Sequence, residues 1–125
     1  SNANNFNEYI INYYGISNNQ SIVSGDIYRV YIDSRINYSS QKPYVDYGLE
    51  YKITMNNVNE IIDWTSVNNA IVNNKLTCYM DVDTSWLLTE QNYQINFRIN
   101  EFGTLKMLTE TIYFRVVDSF YPIKR

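Results

Sequence analysis

Thirteen aspartates and glutamates and not one histidine set the chemistry open to this 125-residue sequence. Asp81 and Asp83 form an Asp-x-Asp pair ahead of a polar loop, and Asp118 follows the last apolar run, so three carboxylates could meet. Calcium takes six or more oxygens, commonly from an Asp-x-Asp-x-Asp-Gly loop with a Glu at its end, and no such loop is present. The expectation is turn-capping or solvated carboxylates and no metal. Glu50, Glu60, Asp63 and Glu90 could supply two acids for glycoside hydrolysis, but no spacing brings any two of them together. Without histidine, the usual base at neutral pH, the Ser-His-Asp triad and the commonest zinc ligand are all missing. A protein with no catalytic residues and no cofactor is therefore expected.

Aromatic residues are the richer source of recognition chemistry. Trp64, Trp86 and several tyrosines could offer flat faces to a sugar, and Asp83 and Asn92 stand near Trp86 in sequence. The competing role for Trp86 is to plug the open end of a core. Tyr13, Tyr14, Tyr38, Tyr44 and Tyr121 fall outside the alternating apolar pattern, and tyrosine suits interfaces because one end is apolar and the other hydrogen-bonds. Trp86, Tyr38 and Tyr44 are thus the candidate contacts with a partner or ligand. The sequons Asn19-Gln20-Ser21 and Asn37-Tyr38-Ser39 accept glycans only in a secretory setting, and chance accounts for them in so asparagine-rich a chain.

Net charge and composition narrow the partner class. At −3, with ten basic residues scattered along the chain, the sequence shows no phosphate-binding cluster, so no nucleic-acid partner is expected. Other protein subunits, including further copies of the same chain, are expected, and a carbohydrate is the alternative. No apolar run approaches the roughly 18 residues of a membrane-crossing helix, and no signal peptide is evident. Cys78, the one cysteine, alternates with polar neighbours and is expected to be a buried thiol.

These residues must be positioned by strands. Leu76, Cys78, Met80 and Val82 alternate with polar residues, as do Tyr93, Ile95, Phe97 and Ile99, which is the period of a strand with one buried face. The ten residues between, Asp83 to Asn92, are too long for a tight hairpin and suit a corner where the chain passes between facing sheets. Tyr28, Val30 and Ile32 form the expected inner face of an earlier strand, and Tyr47, Leu49, Tyr51, Ile53 and Met55 that of the next. A short strand is expected over Glu60–Trp64, then one helical turn over Val67 to Val72 capped by Thr65 or Ser66, closed by Asn73-Asn74. Asn100 to Gly103 reads as a turn; Leu105–Leu108 and Thr109–Asp118 follow as extended segments. Residues 1–3 read as an expression-tag remnant, 4–20 as an N-terminal arm or short helix, 21–118 as the sandwich and 119–125 as a tail. The expected class is all-β, an antiparallel sandwich of about seven strands, with a small barrel as runner-up.

Leu87, followed six residues later by Tyr93 at the start of a strand, resembles the tyrosine corner of fibronectin type III and other immunoglobulin-like domains. In that family Pro often stands two residues after the leucine and Gly next, where this chain has Thr89 and Glu90. The phrase Met80 to Leu87 with Tyr93 to Phe97 is similar to corners in immunoglobulin-like modules of tailed-bacteriophage tail, baseplate and head proteins. The resemblance implies that Leu87 and Tyr93 pin the corner, that the chain is a structural or interaction module of a virion, and that it is not an enzyme. A carbohydrate- or host-surface-binding module of a bacterial extracellular protein is the alternative.

Overall fold

The computed structural model describes residues 9–36 and 48–119; Tyr38, Tyr44 and Tyr121 lie outside them. Nine strands are described: β1 (Tyr9–Tyr14), β2 (Gln20–Val23), β3 (Ile27–Ile36), β4 (Leu49–Met55), β5 (Asn59–Ser66), β6 (Asn68–Val72), β7 (Lys75–Asp83), β8 (Gln91–Glu101) and β9 (Thr104–Val117). They form two sheets, a four-stranded one in the order β1-β3-β7-β6 and a five-stranded one in the order β2-β9-β8-β4-β5. This is an all-β sandwich of two facing sheets. Every pairing is antiparallel except β2 with β9, which is parallel.

The period-two pattern forms the core as expected. Val30 and Ile32 of β3, with Cys78, Met80 and Val82 of β7, face Leu49, Tyr51 and Ile53 of β4 and Tyr93, Ile95, Phe97 and Ile99 of β8. Ile112, Phe114 and Val116 of β9 complete that layer. The chain crosses between the sheets from β7 to β8, so the long connection after Asp83 is the corner that its length implied.

Four expectations are corrected. Tyr9–Tyr14, placed in an N-terminal arm or short helix, is extended and not helical, and it belongs to the sandwich as a strand paired along β3 from Tyr9↔Ile36 to Tyr14↔Tyr31. Residues 68–72 form strand β6 rather than a helical turn. Asn73 and Asn74 both take left-handed backbone (φ 52° and 64°), a two-residue reversal that sets Val72 opposite Lys75 and folds the segment back on β7. The two extended segments after Gly103 are one strand, β9, with a register irregularity opposite Phe97. The count rises from about seven strands to nine because β1, β6 and a separate β2 are added while the two segments after Gly103 merge, and the parallel β2–β9 pair makes the larger sheet mixed.

Candidate functional site

Local chemistry builds the corner. Asp83 ends β7 in extended backbone, and its carboxylate accepts from the Ser85 hydroxyl at 2.6 Å and the Ser85 amide at 3.0 Å. These two bonds hold the Asp83 carboxyl below the usual carboxylate range, the hydroxyl having the larger effect. The cap is therefore fully formed above the ordinary carboxylate pKa and is released as pH falls through the lowered value. A single 3₁₀ turn, Thr84–Trp86, follows and closes where the Leu87 amide donates to the Thr84 carbonyl at 3.2 Å.

Two tyrosines fasten this end of the molecule. The Tyr93 hydroxyl donates to the Leu88 carbonyl at 2.6 Å, its ring is 2% exposed, and Leu87 is buried beside the core, as the corner reading of Leu87 and Tyr93 expects. Burial pushes the Tyr93 phenol up, which keeps it a donor. Tyr28 makes a second pin: its oxygen accepts from the Val23 amide at 3.0 Å and its hydroxyl donates to the Val23 carbonyl at 3.2 Å. Each tyrosine reaches back five residues across the turn that precedes its strand. The sequence reading took Tyr28 for an apolar inner residue; a tyrosine second in its strand after Gly25-Asp26 is the signal that was there. Tyr93→Phe is expected to lower stability by about 1 kcal/mol, the scale of one hydrogen bond, with no change in far-ultraviolet circular dichroism. Denaturant titration checks it, and an unchanged midpoint would refute the pin.

Glu90 occupies the position where the resembled family often has Gly, and it adopts left-handed backbone (φ 59°), which glycine enters without steric cost. Its amide donates to the Val116 carbonyl at 2.6 Å, and its carboxylate accepts from the Asp118 amide at 3.2 Å and from Arg115 at 3.5 Å. Contacts to Arg115, Val116 and Asp118 hold Glu90 in that conformation.

On this braced corner two large apolar side chains face solvent: Trp86 is 55% and Leu88 63% exposed. Trp86 does not plug the core. Ile27, at the start of β3 and opposite Asp83, is also exposed at this end. Sequence reasoning named Trp86 and passed over Leu88 and Ile27, whose spacing from Trp86 signals nothing until the corner is folded.

Elsewhere the candidate residues hold one another. Asp81 takes Arg29 in a bidentate pair (2.8 and 3.1 Å), and Arg29 lies 4.0 Å from the centre of the Tyr79 ring. Tyr14, Tyr31 and Tyr79 form one cross-strand row on the outer face of the four-stranded sheet, with Tyr14 stacked on Tyr31 at 5.0 Å; Tyr13 instead packs against the core. Asp81 and Asp83 have separate partners, and the amide of Asp118 serves Glu90. Among the described residues no three of His, Cys, Asp and Glu gather as a metal site.

Of the four acids considered for hydrolysis, Glu50 pairs with Arg98 at 2.6 Å, Glu60 with Lys52 at 3.4 Å and Glu90 with Arg115, while Asp63 accepts from the Trp64 amide. Trp64 stands on the outer face of the five-stranded sheet with Arg98 4.3 Å and Lys52 5.8 Å from its ring centre, so cations already engage its π-face. The adjoining cleft, ≈ 450 Å³, is shallow and lined by Lys52, Glu60, Trp64, Gln94 and Asn96. Cys78 is buried and contacts Asn69 Oδ1 at 3.1 Å.

Facing sheets and a pinned crossover that leaves Trp86 and Leu88 exposed define a β-sandwich. The chain matches no protein-family model and no curated protein. Among the described residues no helix is long and apolar enough to cross a membrane.

Proposed function

We propose that this chain is a non-catalytic immunoglobulin-like module that works by docking to other protein subunits, as a component of the tail, baseplate or head of a phage particle. The observation that carries the reading is the corner: Trp86 and Leu88 exposed on a segment fixed by Tyr93, Thr84 and Asp83. An aromatic anchor held rigid before binding loses little conformational freedom on docking, which is the economy expected of an interface hot spot. The strand order and the Leu87–Tyr93 pin support the family resemblance, and the absence of histidine from the sequence supports a role without acid–base chemistry.

The test is the protein content of purified particles. Peptides of this chain are expected in particles banded by density, and a Trp86→Ser/Leu88→Ser variant that folds normally is expected to be lost from them. Absence of the wild-type chain from the particles would overturn the reading. The exposed Trp86 ring also favours a second function, a carbohydrate- or host-surface-binding module of a bacterial extracellular protein. Saturable binding on a glycan array, abolished in Trp86→Ala with the fold intact, would put that function in place of the first.

A further inference from the structure

We propose that β6 is a pairing edge at which two copies of this chain join by antiparallel strand addition, making one continuous sheet of their two four-stranded sheets. The inference rests on the reading of the chain as an assembly module and names the partner of one surface. A sheet edge presents unpaired N–H and C=O groups, and proteins ordinarily shield it with charge, proline, a bulge or brevity.

The described edges differ in this respect. β5 carries Glu60 and Asp63 and two register irregularities along β4. β2 is four residues long. β1 lies against β9. β6 has none of these protections: Asn68-Asn69-Ala70-Ile71-Val72 holds no charge and no proline, and its register with β7 is unbroken from Asn68↔Tyr79 to Val72↔Lys75.

Side-chain placement points the same way. Ile71 sits opposite Leu76, on the side of the ribbon where Cys78 and Met80 are buried, yet it is 71% exposed. A β-branched residue on the core side of an edge strand, with no core over it, is surface that another strand would cover. Val72, on the other side of the ribbon, is exposed as well.

Charge admits a second copy at β6 and opposes one at β5. The chain carries −3 overall, and antiparallel pairing at β5 would bring acids of two copies together, whereas at β6 no charge meets its like. A two-fold axis near Ala70 makes the contact self-complementary and closed, so it yields a dimer rather than a fibre. One five-residue edge is a small interface, so the dimer is weak, with a dissociation constant on the order of micromolar or above.

Sedimentation velocity on the full chain, over roughly 1 µM to 1 mM, tests this. The wild-type chain is expected to shift from monomer to dimer across that range. Ile71→Lys, and independently Val72→Lys, should remain monomeric with melting temperatures within a few degrees of wild type, since both sites are exposed. Ala70→Cys should be trapped as a disulfide-linked dimer on mild oxidation, because residues directly opposite in an antiparallel pair lie about 4.5–5.5 Å apart at Cα, within disulfide reach. Thr109→Cys, exposed on β9, should not.

A chain that stays monomeric to the highest concentration overturns the proposal. So does a dimer that survives both lysine variants and is not trapped through residue 70. A monomeric chain still present in purified particles refutes the edge and keeps the assembly reading; a β6 dimer absent from particles does the reverse.

Discussion

Replacing Thr84 with valine is expected to lower stability by about 2 kcal/mol, a large share of the 5–15 kcal/mol typical of a domain. Thr84 is fully buried, one of only two buried polar residues among those described. Its hydroxyl donates to the Asp26 carbonyl at 2.6 Å and accepts from the Gly25 amide at 3.0 Å, with the Val23 carbonyl a further 3.3 Å acceptor. Its own amide donates to the same Asp26 carbonyl at 3.0 Å. One side chain therefore ties the β2–β3 turn to the β7–β8 corner, across about sixty residues of sequence.

Valine keeps the shape and removes the hydroxyl, which takes away both the acceptor of the Gly25 amide and the side-chain donor to the Asp26 carbonyl, two part-buried hydrogen bonds worth about 1 kcal/mol each. Thr84→Ser supplies the control. Serine retains the hydroxyl and loses one buried methyl group, which costs about 1 kcal/mol. Denaturant midpoints at constant slope should rank wild type above Ser above Val. Hydrogen exchange should show the Gly25 amide losing protection in the valine variant alone. If valine proves as stable as serine, the hydroxyl is not what joins the two turns.

How much of this could be read from residue order depends on the range over which each feature is decided. The inner faces of β7 and β8 and the corner between them were legible because a period of two is local, and ten residues between two such runs admit few routes. Residues 68–72 were not. Thr65 and Ser66 are good caps, and a short polar run reads equally well as a helical turn; pairing with β7 across the Asn73-Asn74 reversal decided the matter. Phe6, Tyr9, Ile10 and Tyr13 stand at helical spacing, but β3 offers an open edge to pair with, so Tyr9–Tyr14 became strand β1.

The site divides in the same way. Tyr93 was visible because its distance from Leu87 follows a known motif, whereas the hydroxyl of Tyr28 was hidden inside an apolar pattern that its ring satisfies. Thr84 was harder still: within Asp83-Thr84-Ser85-Trp86 it looks like one more solvated turn residue, and nothing nearby announces that Asp26 will close over it. The exposure of Trp86 depended on how the corner folds, so whether it plugs the core could only be decided in three dimensions.

Gly15→Ala is the other change with a large expected effect, at least about 3 kcal/mol, because strain and collision act together there. Gly15 is where the chain leaves β1 in one sheet for β2 in the other, and its φ is +120°, where side chains other than glycine's are strained. A Cβ at this position would also collide with the carbonyl oxygen of Arg29 and come within 3.1 Å of the Val30 Cα. Those atoms belong to β3, just beyond its last pair with β1 (Tyr14↔Tyr31) and paired with Asp81 and Met80 of β7, so they cannot withdraw without disturbing the β3–β7 ladder. Retreat on the other side is blocked by Ile16, the next residue, which is 1% exposed in the core.

Gly25 separates the two causes. It too has a positive φ, +105°, but a Cβ there meets nothing within 4 Å, so Gly25→Ala suffers strain alone and is expected to cost about 1 kcal/mol. Denaturant midpoints of the two variants, measured side by side, give the difference directly. Equal losses would mean that β3 gives way to the added methyl group, and the crossing from β1 to β2 would then be set by backbone conformation and not by the close approach of Gly15 to Arg29.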